Sequence, residues 1–543
     1  MRHSTKGRGK SSHVFALTPQ VHSERSMFDR SFGHKTTFNA GYLVPIFVDE
    51  VLPGDTFNVK LNAIVRMATP IYPIMDNLYF ETQFWFVPNR LVWNHWVNFC
   101  GEQASPADTT SYIIPQVVSG ASGFLINSLA DYFGIPINTA NALSVNALPF
   151  RAFNLIYNQW YRDENLQNGL VVQTDDGPDT LANYTLVRRG KRHDYFTSAL
   201  PWTQKINDGT VVEIPIGSTA PIKSDGTNPF FTDGTNNYTP VVAIGSPIVN
   251  WNIAGVANSG VLFGKAADTA ATGLIADLSA ATSGTVNQLR QAFQLQVLFE
   301  RDAKGGTRYT ESVRSHFNVI MPDQQWRPEF LGGGSQMINI TAIAQTQGTG
   351  ASGTTTPQGN LAAFGVGQVH GHGFVKSFVE HGYVIGIASV RADLNYQQGL
   401  NRMWTRSTRY DFYWPALAHI GEQTLSLGEI YAVGGTVTTD GWSTADAVAF
   451  GYQERYAEYR YHPSVISSYF RSTALTGTLD AWHLAQKFAS APTLNTTFIQ
   501  ETPPMSRVEA VTNVADFIAD MMFDFKCARR MPLYGTPMQL GRF

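Results

Sequence analysis

Cysteine is nearly missing from this sequence: 543 residues contain two, Cys100 and Cys527. That count excludes a disulfide-built secreted scaffold and suits a reducing cytoplasm. Charge is scarce as well. Asp, Glu, Lys and Arg make up 15% of the chain, against ~25% in an ordinary soluble protein. The formal net charge of -3 gives no overall electrostatic case for a nucleic-acid partner. No run of about 18 apolar residues occurs, so no membrane-spanning helix is expected. The basic first twenty residues lack an apolar segment and do not read as a secretory signal. The expectation is a soluble protein made in the cytosol. Catalytic signatures are missing too. There is no Walker loop, and no serine sits in a Gly-x-Ser-x-Gly elbow. One Gly-x-Gly-x-x-Gly occurs, at Gly348, Gly350 and Gly353. It lies in a Gly/Thr/Gln/Ser-rich loop (345–360) with no strand before it and no helix after it, so it is a chance match. The sequence calls for no enzyme activity, no cofactor and no metal.

Aromatic residues, by contrast, reach 12%, with 47 Gly and 27 Pro. This profile suits an all-β protein with many turns. Few charges and many aromatics also suit a surface that meets other subunits. Strand patterning is clear at both ends of the chain. Phe57, Val59, Leu61, Ala63, Val65 and Met67 alternate with mostly polar residues, which predicts a half-buried strand. A second strand runs from Leu78 to Val87, with Phe80, Phe84 and Phe86 on one face. Phe374 to Val390 and Tyr452 to Tyr461 carry further strand signals. Met521, Phe523, Phe525 and Cys527 alternate again near the end. Pairing strands so far apart in sequence is what Greek-key sandwiches do, the jelly roll above all. Helices are expected over 147–166, after Pro149, and over 286–303, ended by Gly305-Gly306.

Four regions follow. Residues 1–40 form a basic extended arm. Residues 41–205 hold the first part of the sandwich, with a helical insertion. Residues 206–285, with two Lys, no Arg and six acids, read as a surface insertion. Residues 286–543 hold the second part, with loops and a tail. Three features invite a chemical reading. His370, His372 and Glu380 would share a strand face, but the carboxylate lies eight residues after the second His, where a cupin-like metal site needs about four or five. Arg2, Lys6, Arg8 and Lys10 in the arm, and Lys526, Arg529 and Arg530 with interleaved aromatics near the end, suit contact with single-stranded nucleic acid. Arg188, Arg189, Lys191 and Arg192 form a further cluster, open to the same reading or to a subunit contact. Tyr452, Tyr456, Tyr459 and Tyr461 suit either subunit contacts or core packing.

Several runs resemble the major capsid proteins of the Microviridae, gokushovirus branch. They lie at 26–46, 48–57, 69–78 (Thr69-Pro-Ile-Tyr-Pro-Ile-Met-Asp-Asn-Leu), 86–93, 101–103 and 149–153. They continue at 300–309 (Glu300-Arg-Asp-Ala-Lys-Gly-Gly-Thr-Arg-Tyr), 327–333, 450–460 and 527–534 (Cys527-Ala-Arg-Arg-Met-Pro-Leu-Tyr). They run in order from residue 26 onward and thin out over 206–285. The resemblance implies an eight-stranded antiparallel jelly roll with large insertions. It implies sixty copies, as twelve pentamers, in a small icosahedral shell around circular single-stranded DNA. It makes 206–285 the candidate for a protrusion at the threefold axes that meets a host surface receptor. A small DNA-binding protein, a pilot protein and a scaffolding protein are the further partners it implies. The protein would reside in the virion after assembly in the bacterial cytoplasm. The alternatives are a jelly-roll carbohydrate-binding protein and a cupin-like metalloprotein.

Overall fold

The computed structural model describes residues 24–203, 286–306, 308–344, 361–437, 441–474, 477–511 and 514–534, with short strand segments between 222 and 276. Nine strands form one continuous antiparallel system: β1 (Ser26–Asp29), β2 (Phe32–Phe38), β3 (Val44–Val51), β4 (Thr56–Met67), β5 (Leu78–Pro88), β6 (Glu329–Ala344), β7 (Leu361–Ser377), β8 (Gly382–Ala392) and β9 (Phe517–Arg529). β1 and β2 lie in line along one edge of β9. The remaining order is β9-β4-β7-β6-β5-β8-β3. Eight strands thus make two sheets, β2-β9-β4-β7 and β3-β8-β5-β6, which is the connectivity of a jelly roll. The β6–β7 hairpin joins them. Glu329 to Ile338 pair with β5, whereas Asn339 to Ala344 pair with β7.

The alternation read from the sequence is the inward face of this sandwich. On β9, Phe517, Ala519, Met521, Phe523, Phe525 and Cys527 are all buried, beside the inward residues of β4 from Phe57 to Met67 and facing Phe80, Phe84 and Phe86 of β5 across the core. Aromatic rings cross between the sheets. Phe47 on β3 lies 5.4 Å from Phe523 and 5.5 Å from Phe525, and Phe84 lies 5.4 Å from Phe374. Such offset and edge-on pairs add packing energy beyond the area they bury.

The second sheet is covered on its other face too. The helix Leu148–Ile156 and the π-turn Tyr157–Tyr161 pack on Trp85, Val87, Tyr383, Ile385 and Ile387. This second layer explains why β8 is apolar at nearly every position, since both its faces are buried. The expected helix over 147–166 stops at Tyr161, because Arg162 turns to extended backbone. A third cluster joins Tyr195, Phe196 and Phe498 to Leu425, Ile430 and Phe450 in the β8–β9 connection.

Two strand windows differ from expectation. Phe374 to Val390 holds the end of β7 and the start of β8, separated by a turn at 378–381. The Tyr452 to Tyr461 window is strand only to Glu454 (Ala449–Glu454, paired with Glu422–Ser426). Tyr456 then takes φ 63° and opens a 3-10 turn. Only Tyr452 of the four tyrosines sits on that strand, while Tyr456 and Tyr459 meet Tyr413 of a neighbouring loop and Tyr461 stacks on Tyr195. The His370-Gly-His-Gly run is a bulge within β7, where Gly371 has φ +69°. A side chain at Gly373 would meet the Val59 carbonyl at 1.9 Å, so only glycine fits there.

The chain divides into two compact units, one of residues 1–203 with 306–543, the other Gln204–Gly305. Within the second unit, Pro229–Thr232 pairs with Asn237–Tyr238 and with Leu262–Lys265, Ile222–Ser224 pairs with Leu274–Ala276, and Val286–Gly305 is a helix.

Candidate functional site

The outer face of the β2-β9-β4-β7 sheet presents alternate residues outward, including Lys35, Lys60, Arg66 and Lys526. Acids share the face. Lys35 lies 3.7 Å from Asp520, and Lys526 lies 4.0 Å from Asp524. Lys526 remains half exposed, and Arg530 is exposed beside Gly54. Arg529 is committed within the subunit. Its Nε donates to both Asp55 carboxylate oxygens at 3.0 and 3.1 Å, and its Nη2 donates to the Glu50 carbonyl at 2.9 Å. Arg2, Lys6, Arg8 and Lys10 lie outside the described residues.

The 188–192 cluster is an internal joint. Arg189, Arg192 and Arg391 converge on Glu81 of β5, at 2.6, 3.0 and 2.7 Å. Glu81 is 6% exposed. Burial alone would raise its pKa, but the three guanidinium groups outweigh it and hold the carboxyl below its ordinary range. Arg188 lies over the Tyr42 ring at 4.1 Å. Lys191 is buried, donates to Gln486 at 2.9 Å, and has its pKa lowered to about 8 by burial. Nothing in residue type or spacing had marked Glu81. Its partners come from two distant segments, and only folding brings them together.

The four tyrosines divide. Tyr456 is buried against Tyr413, with ring centroids 5.3 Å apart. Tyr461 stacks on Tyr195 at 5.4 Å, and burial pushes its pKa up to about 12. Tyr452 is half-buried and exchanges backbone hydrogen bonds with Leu200. Tyr459 is 52% exposed. The histidine–glutamate group separates: His372 bonds the Thr82 hydroxyl at 2.9 Å, while Glu380 accepts from Arg90 at 2.8 Å. Among the described residues no three His, Cys, Asp or Glu side chains come together as metal ligands. No described helix is long and apolar enough to cross a membrane. Cys527 is buried, Cys100 exposed, and neither is bonded.

Two buried carboxyls make stability depend on pH. Glu501 and Glu509 are 1% and 4% exposed. Burial raises each from 4.5 to about 7, Glu509 with a further push from Asp516. Because the folded pKa exceeds the unfolded one, the folded state holds more protons between those values, so stability falls as pH rises through that window. The urea midpoint of the subunit should therefore drop more steeply between about pH 4.5 and pH 7 than in the Glu501→Gln/Glu509→Gln variant. Parallel pH profiles for the two proteins would refute the assignment.

A jelly roll whose connections carry more chain than its strands, holding charged groups in structural joints, is an architecture shared by coat subunits, lectins and cupins. The chain belongs to the family of phage capsid proteins described as "Capsid protein (F protein)", whose family model matches residues 16–539. It is 46% identical over 560 residues to the capsid protein VP1 of Bdellovibrio phage phiMH2K, covering 99% of both chains. It is 43% identical to capsid protein VP1 of Chlamydia phage 1, covering 96% of this chain and 97% of that one. Identity to capsid protein VP1 of Spiroplasma virus 4 is 33%, with 97% of each covered. The chain is a Microviridae-type major capsid protein, structural and self-assembling rather than catalytic.

Proposed function

We propose that sixty copies of this protein, as twelve pentamers, close into a small icosahedral shell around circular single-stranded DNA. The full-length match to capsid proteins carries this reading. The basic arm (Arg2, Lys6, Arg8, Lys10) and Lys526 and Arg530 face the DNA, while Arg529, held by Asp55, braces the tail from within the subunit. Residues 206–285 form the protrusion at the threefold axes and meet the host receptor. A small DNA-binding protein, a pilot protein and a scaffolding protein complete the assembly, which takes place in the bacterial cytoplasm.

Electron microscopy of the isolated particle tests the shell. Closed spikeless particles roughly 25–30 nm across are expected from sixty such chains in a single layer. A subunit that stays monomeric at high concentration and yields no particle would overturn the reading. For DNA binding, log affinity for single-stranded DNA against log salt should flatten by about 0.7 for each phosphate that Lys526→Ala or Arg530→Ala no longer neutralises. An unchanged slope would remove that residue from the DNA-facing set. Deleting 206–285 should leave shells intact while abolishing adsorption to host cells. Normal adsorption would end the receptor role.

A further inference from the structure

Residues 403–414, in the β8–β9 connection, turn apolar side chains outward as a group. Met403 is 54% exposed, Trp404 70%, Tyr410 61%, Phe412 54%, Tyr413 51% and Trp414 44%. Single exposed apolar residues are ordinary, but six within twelve positions make a patch. The segment is nonetheless fixed. Asp411 accepts from the backbone N–H of Ser407 and Thr408 at 2.9 and 2.7 Å. The Trp414 indole donates to the Arg409 carbonyl at 2.8 Å. Arg406, whose side chain is 8% exposed, donates to the Asp411 carbonyl and the Tyr459 hydroxyl, and pairs with Glu458 at 3.3 Å. The Tyr456 hydroxyl donates to the Tyr410 carbonyl at 3.3 Å. Polar groups and the Tyr413–Tyr456 ring contact hold the loop from beneath, while each of the six side chains keeps 44% or more of its surface exposed. Little ordering entropy then remains to be given up on association.

We propose that this aromatic face of residues 403–414 is a contact by which one subunit binds a second copy of this chain in the shell. The inference rests on the shell-forming role and adds a specific surface to it. Three observations favour a second copy. At roughly 200 Å² per large side chain, the exposed fractions amount to roughly 700 Å², close to the ~800 Å² each partner gives a standard interface. The composition of Trp, Tyr and Arg is that of interface hot spots. Three of the five arginines around the loop are answered by acids, Arg402 by Glu429, Arg406 by Glu458, and Arg460 by Glu454, and Arg455 donates to the Tyr410 carbonyl at 3.4 Å. Arg409 lies over the Trp414 ring at 5.3 Å. A single-strand channel instead needs a positively charged groove to track phosphates. In a closed shell the patch meets its own equivalent if the two copies are related by a twofold axis, and a different surface if they are related by a threefold or fivefold axis.

Hydroxyl-radical footprinting read by mass spectrometry tests this without a variant. Native particles, DNA-free shells and dissociated subunits are compared. Oxidation of Trp404, Tyr410 and Phe412 should fall about five-fold or more in both kinds of shell relative to free subunits. Equal oxidation in shells and free subunits would overturn the proposal. So would protection confined to DNA-filled particles, which would assign the surface to nucleic acid. Independently, Trp404→Ser/Phe412→Ser should give soluble subunits with the unfolding transition of the unaltered protein and no closed shells. Shells at ordinary yield from that variant would also overturn it. An unaltered protein that never forms shells would refute the shell-forming reading itself, and this inference with it.

Discussion

Glu81→Ala is expected to destabilise the folded subunit by about 3–5 kcal/mol, the usual cost of removing one partner from a buried charge group. Three arginines meet at this carboxylate. Arg391 comes from β8, next to β5, and Arg189 and Arg192 come from the strap that closes over the sheet. Without Glu81 the guanidinium groups of Arg189 and Arg391, each close to nine-tenths buried, face one another with no shared counter-charge. Mutual repulsion is already present in the native protein, where burial and Arg189 both lower the Arg391 pKa. Partial relief remains. Arg189 also donates to Ser389 at 2.8 Å, and Arg192 also lies 3.5 Å from Asp393. Glu81→Gln keeps an acceptor and loses the charge, so it should fall between Glu81→Ala and the unaltered protein. Urea unfolding of isolated subunits would measure both. A Glu81→Ala midpoint within error of the unaltered protein would mean that the joint contributes nothing.

Breaking the Arg151–Asp179 pair should cost as much, about 3–5 kcal/mol, and its effect should be local at first. Both side chains are fully buried. Arg151 Nε donates to Asp179 at 2.7 Å, and its Nη1 donates to the carbonyls of Val92 and Asp175 at 3.0 and 2.9 Å. The Tyr184 hydroxyl donates to the same carboxylate, and burial with the Asp179 charge drives the Tyr184 pKa upward. The network ties the helix Leu148–Ile156 to the segments at 92, 175–179 and 184, which together cover the second sheet. Arg151→Met leaves Asp179 buried without its counter-ion. Limited proteolysis should then cut within 89–190 well before global unfolding. Arg151→Met/Asp179→Leu should recover much of the stability, since an apolar pair of similar size often serves as well as a buried ion pair. A double variant no more stable than Arg151→Met would show that the hydrogen bonds to the carbonyls, not the charge pair, carry the energy.

What could be read in the sequence follows a physical division. β4, β5 and β9 were legible because each has a patterned inward face, and period 2 is a local signal. β8 was visible as apolar but not bounded, because burial on both faces erases alternation and merged it with the end of β7. The order of strands in the sheets left no local trace. Only the jelly-roll class could be read, from the distance between patterned segments and from the resemblance to capsid proteins. Charge was the least legible property. Arg188 to Arg192 and Arg529 looked like ready phosphate contacts, yet Glu81 and Asp55 answer Arg189, Arg192 and Arg529 from more than one hundred positions away in the chain. The tyrosines show the same limit, since spacing could not separate buried Tyr456 from exposed Tyr459.

One further consequence lies in the position of β9. This strand, 517–529, pairs with β2 on one side and β4 on the other. Two of the first strands to leave the ribosome therefore have to wait for one of the last. At ordinary translation speeds of about 5–20 residues per second, the gap stays open for roughly half a minute to a minute and a half. During that time β2 and β4 present unpaired edges, the kind that recruit foreign strands. A nascent chain needs shielding over that interval. A product that stops short of residue 517 lacks the strand between β2 and β4, and both of those strands keep an open edge.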